Sequence, residues 1–130
     1  MESNSSVHSW ITRAEDDIRW TEANIREEIW YGACFTAQQA AEKALKGYLV
    51  FRKEEVRKIH DISALLERCI RLTPAFETIR ENTLPLVDYY LPTRYPDLSM
   101  FMEFSEEKAT QALHDAKTIV AFVKEKISHI

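Results

Sequence analysis

The chain has 130 residues, the size of one ordinary domain, and its 45% hydrophobic and 29% charged residues exclude an intrinsically disordered polymer. A formal net charge of −4 argues against a dedicated duplex-DNA binder, which needs a basic face to neutralise phosphates. Two glycines and four prolines are too few chain-breakers for the many turns of an all-β fold, and no window approaches the ~20 apolar residues of a membrane span.

The opening MESNSSVHSW is polar and lacks the apolar stretch of a secretory signal. Residues 1–7 are read as a disordered, frayed N-terminus, residues 8–130 as the folded domain, and a cytoplasmic location is expected. Trp10, Ala14, Ile18, Thr21 and Ile25 recur at three- and four-residue steps, which predicts an amphipathic helix over 8–27 with Asp16, Asp17 and Arg19 beside the stripe. A second helix is predicted over 30–52, with an inner face of Trp30, Ala33, Cys34, Ala37, Ala41, Ala44, Leu45, Tyr48 and Leu49. Its alanines permit close approach of a neighbour, so it should be the central helix. Arg52–Lys58 has no stripe and is read as a helix end and loop.

Asp61 is placed to cap a third helix carrying Ile62, Leu65, Leu66, Cys69 and Ile70. Thr73-Pro74 signals a fourth start, with Phe76, Ile79, Leu84, Val87 and Tyr90 beyond it and a break at Pro85. Residues 91–102 show no helical period. Ser105 caps a last helix with Glu106 and Glu107 in its first turn and the stripe Ala109, Ala112, Leu113, Ala116, Ile119, Val120, Val123 and Ile127. Long amphipathic helices with short connections predict an all-α, antiparallel up-and-down bundle of four to five helices.

Cys34 and Cys69 sit among apolar residues with no CxxC partner, so buried, reduced thiols are expected and neither zinc nor a disulfide follows. His114-Asp115 lacks the further ligands a metal needs. No Gly-rich phosphate loop or nucleophile elbow is present, and neither metal nor cofactor is expected.

Two stretches carry a family resemblance. One is Ala33-Cys34-Phe35-Thr36-Ala37-Gln38-Gln39-Ala40-Ala41-Glu42-Lys43-Ala44-Leu45-Lys46; the other is Tyr90-Leu91-Pro92-Thr93-Arg94-Tyr95-Pro96-Asp97. With Trp10, Asp17 and His60, they resemble the HEPN domain over nearly the whole chain, from about residue 8 to 127. The resemblance implies a helical bundle, commonly a homodimer, working beside a minimal nucleotidyltransferase in a toxin–antitoxin-like pair. Many members cleave RNA with an Arg and a His separated by four to six residues, the His moving a proton and the guanidinium holding phosphate. This chain departs from that pattern. The permitted positions after Arg94 hold Ser99, Met100 and Phe101, and seven residues separate Arg52 from His60. No catalytic residue is therefore assigned.

Gln39, Lys43 and Lys46 fall at i, i+4 and i+7, on one helix face. They are candidates, with Arg94, Tyr95 and His60, for a nucleotide-binding groove in which the cations hold phosphate and Tyr95 stacks on a base. The competing reading is a solvated polar face with Arg94 tied to Asp97 or Glu42, Tyr95 and Pro96 packed against the bundle, and His60 packing or hydrogen-bonding locally at the start of its helix. The basic run Arg52, Lys53, Arg57 and Lys58 is offset by Glu54 and Glu55 and reads as a solvated loop. Trp30, Tyr31, Phe35, Tyr89, Tyr90, Phe101, Met102 and Phe104 exceed what one small bundle easily buries, which predicts a homodimer. Three functions follow: a non-catalytic HEPN partner of a nucleotidyltransferase that binds nucleotide or RNA, a toxin-type ribonuclease with a divergent site, or a ligand-free dimeric scaffold.

Overall fold

The computed structural model describes residues 3–89 and 103–128. The order is α1 (Ser3–Arg26), α2 (Trp30–Phe51), α3 (Ile62–Leu72), a 3-10 helix (Pro74–Ile79), α4 (Arg80–Thr83), a second 3-10 helix (Leu84–Tyr89) and α5 (Glu106–Ile127). Among the described residues there is no strand. The fold is the all-helical bundle that the periodicity predicts.

α1 starts earlier than expected, at Ser3 rather than near residue 8. Val7, expected in a frayed tail, is 4% exposed, and burying its side chain extends the helix. α1 and α2 each end in the same device. Glu28 (φ 60°) and Lys53 (φ 66°) adopt the left-handed conformation that usually calls for glycine. At the first, Ile29 N–H donates to Asn24 O at 2.8 Å and Glu28 N–H to Ile25 O at 3.0 Å. At the second, Glu54 N–H donates to Leu49 O at 2.9 Å and Lys53 N–H to Val50 O at 2.8 Å.

The expected caps hold at two helices. The Asp61 carboxylate accepts from Ser63 N–H at 2.9 Å to start α3, and Ser105 Oγ accepts from Lys108 N–H at 3.2 Å to start α5. Thr73 is different: its hydroxyl makes no cap bond and instead meets the Tyr48 hydroxyl. The segment after Pro74 accordingly runs as short 3-10 and α turns, with Pro85 inside the second 3-10 stretch.

The helix directions follow from cross-contacts. Thr21 Oγ1 lies 2.7 Å from Thr36 Oγ1, and Lys43 reaches back to Asp17, so α1 and α2 are antiparallel. Glu22–Lys117 (3.2 Å) and Glu15–Lys124 (2.6 Å) make α5 antiparallel to α1. Phe76 packs on Tyr48 and Phe122, at ring separations of 4.5 and 4.9 Å, and from there the chain returns to the opposite end of the bundle, where Tyr89 lies beside Cys34.

α2 is the axis. Its residues Ala44 to Leu49 are all buried, and six successive residues cover more than one full turn. Small residues permit this enclosure: Ala33, Ala37, Ala40, Ala41 and Ala44 are each 0% exposed. At Gly47 a Cβ would stand 3.0 Å from Ile11 Cδ1 and 3.2 Å from Trp10 Cβ, so α1 presses directly on the α2 backbone. Both thiols are buried, and burial pushes Cys34 up to about 11 and Cys69 up to about 12. No helix among the described residues is long and apolar enough to cross a membrane.

Ala37→Leu should overpack the α2 contact and lower unfolding free energy by about 1–3 kcal/mol, with the helical circular dichroism retained at low temperature. An unchanged denaturation midpoint would show that the helices do not meet there as closely as described.

Candidate functional site

The second helix places its polar residues where α1 and the 52–61 loop press against it. Lys43 and Lys46 do not stand open on a solvated face. Lys43 Nζ donates to Asp17 Oδ2 of α1 at 2.5 Å, and the Asp17 side chain is only 6% exposed. Lys46 Nζ lies 2.9 Å from Glu42 Oε2, one turn earlier, in a pair whose side chains are 4% and 9% exposed. The same ammonium sits 5.6 Å from the centroid of the Trp10 ring, whose negative face adds a second attraction. Burying two charges is costly unless they are paired and hydrogen-bonded, and here both conditions hold.

Glu42 is the hub. Besides Lys46, its Oε2 accepts from His60 Nδ1 at 3.1 Å, and its Oε1 lies 3.4 Å from Gln39 Nε2. Gln39 also donates to the buried Gln38 Oε1 at 2.7 Å. A carboxylate can only accept, so Nδ1 carries the proton in the His60 bond. The His60 side chain is 59% exposed. His60 thus couples the loop before α3 to the central helix while its side chain stays largely exposed.

Four of the six residues expected to line a nucleotide groove therefore occupy one stretch of α2 and its loop: Gln39, Lys46 and His60 meet at Glu42, with Lys43 beside them on Asp17. Arg94 and Tyr95 lie outside the described residues. Lys46, fully enclosed, holds a carboxylate rather than facing a ligand. Gln39 and Lys43 are half-buried, and His60 is the most open of the four.

Glu42 lies inside the family motif, but the sequence alone does not give it this role. Its signal is the i, i+4 spacing of Glu42 and Lys46, a good helical ion-pair arrangement. Asp17 stands beside the α1 stripe in sequence, where a charged residue is usually solvated, so its burial is not legible there. Burial pushes the Asp17 carboxyl above its ordinary value, and the Lys43 ammonium pulls it part of the way back. The His114-Asp115 pair divides: Asp115 is 3% exposed and accepts from Asn82 at 2.9 Å and Gln111 at 3.2 Å, while His114 lies on the outer side of α5. Among the described residues no group of three or more His, Cys, Asp or Glu is placed to hold a metal ion.

The aromatic set expected to cover an interface also divides. Tyr89 is 9% exposed, and Trp30 and Phe104 pack against the core. Phe35 is half-buried, and Tyr31 is 57% exposed. Tyr90, Phe101 and Met102 lie outside the described residues. Trp20, at 60%, is a further exposed aromatic that the sequence pattern does not single out.

The family model of the HEPN domain matches residues 7–126 of this chain. The crystal structure of TT1696 from Thermus thermophilus superposes with a TM-score of 0.82 at 33% identity, covering 92% of this chain and 97% of that one. That of ST0689, an archaeal HEPN homologue, superposes with a TM-score of 0.76 at 33% identity, covering 98% and 99%. A Methanocaldococcus jannaschii protein named "Putative toxin MJ1304" is 22% identical over 129 residues, covering 89% of this chain and 84% of its own.

Because burial holds the folded-state value of Asp17 above its unfolded value, the fold favours the protonated form. The stability this group contributes is present below the unfolded value and declines as pH rises through the folded one. Carboxyl-resolved NMR titration should place Asp17 above the ordinary ~3.9 of aspartate. Lys43→Met should move it higher still by removing the compensating charge; a downward move would refute the assigned pairing.

Proposed function

This chain belongs to the HEPN domain family, and we propose that it acts as the non-catalytic helical partner of a minimal nucleotidyltransferase in a toxin–antitoxin-like pair, binding nucleotide or RNA. The observation that carries this reading is the spacing in the sequence: no arginine is followed by a histidine after four to six intervening residues. His60 Nδ1 is held by Glu42. A ribonuclease of the Arg–His kind needs a guanidinium beside the imidazole to stabilise charge on the scissile phosphate. In the sequence the arginine ahead of His60, Arg52, is one residue too distant for that spacing.

The nucleotide is proposed to contact Arg94 and Tyr95, with Gln39, Lys43 and the open edge of His60 at its margin. Lys46 serves this site by holding Glu42, which in turn orients His60. Two copies of the chain are proposed to associate, with exposed Tyr31 at the contact and Tyr90, Phe101 and Met102 supplying the remaining apolar area.

The name of the archaeal relative favours a second reading, a toxin whose ribonuclease site has diverged. On that reading purified protein cleaves RNA and His60→Ala abolishes the cleavage.

The non-catalytic reading expects a different set of results. The protein co-purifies with a nucleotidyltransferase encoded beside it, and wild type and His60→Ala show the same background in an RNA-cleavage assay. Arg94→Ala should weaken nucleotide binding by about 1.5–3 kcal/mol, the worth of a hydrogen bond to a charged group, with no change in melting temperature. Tyr95→Ala should weaken it by about 1–3 kcal/mol through lost stacking. A lowered melting temperature for Arg94→Ala with no nucleotide response would assign the arginine to the fold instead. Sedimentation should show a dimer at micromolar concentration, and a monomer there would remove the assembly from the proposal.

A further inference from the structure

We draw no further inference here: the strongest candidate, the Asn82–Gln111–Asp115 side-chain cluster where α4 meets α5, in which the buried Asp115 Oδ2 has no hydrogen-bond partner among the described residues, carries no site because nothing in the structure shows what group would reach that oxygen.

Discussion

A helix enclosed around its whole circumference has no face on which to leave a charge unpaired, and this constraint governs the architecture around α2. The alanines let α1 and α5 approach closely enough to bury it, and that same approach removes water from Glu42 and Lys46 and from much of Lys43. Each must then find a partner within the protein. Lys43 finds one on α1, while Lys46 and Glu42 find each other, with Trp10 and His60 closing the two sides. The polar contacts are thus a consequence of the packing, and they also set its register. A shift of α2 against α1 by one residue would part Lys43 from Asp17 and drive the Gly47 contact into a side chain.

Among the described residues, several that carry the family resemblance interlock in this way. Trp10, Asp17, Glu42, Lys43, Lys46 and His60 come from three separate parts of the chain, and each touches at least one other. The motif on α2 is accordingly a signature of how three elements meet. Its charged groups are paired within the fold, and His60 is the most exposed of them. That division explains how a chain can keep the family's fold while departing from the Arg–His spacing of its RNA-cleaving members.

Much of the fold is legible because α2 and α5 write their buried faces as three- and four-residue steps, and because Asp61 and Ser105 are ordinary caps. Other features leave no local mark. Glu28 and Lys53 end their helices in a conformation that glycine usually signals, and nothing in those residue types announces it. Thr73-Pro74 has the composition of a cap, but its hydroxyl is claimed by Tyr48, 25 residues away in sequence. At the site, the i, i+4 relation of Glu42 and Lys46 is readable, whereas the burial of Asp17 depends on a helix that arrives from elsewhere. The basic run from Arg52 reads as solvated because its charges balance in sequence. In three dimensions Arg57 and Arg68 claim the two glutamates, leaving Arg52 with hydroxyl partners.

The central claim is that Glu42 and Lys46 form a buried pair on which the enclosure of α2 depends. A double-mutant cycle measures it most directly: Glu42→Gln, Lys46→Met and the combination, each followed by denaturant unfolding. The account predicts that Lys46→Met alone costs about 3 kcal/mol or more, because it strips a buried carboxylate of its main partner. The double variant should cost clearly less than the sum of the two single changes, giving a coupling of about 1–3 kcal/mol. Additive effects with a coupling near zero would mean that the two charges are solvated and independent, and would contradict the account.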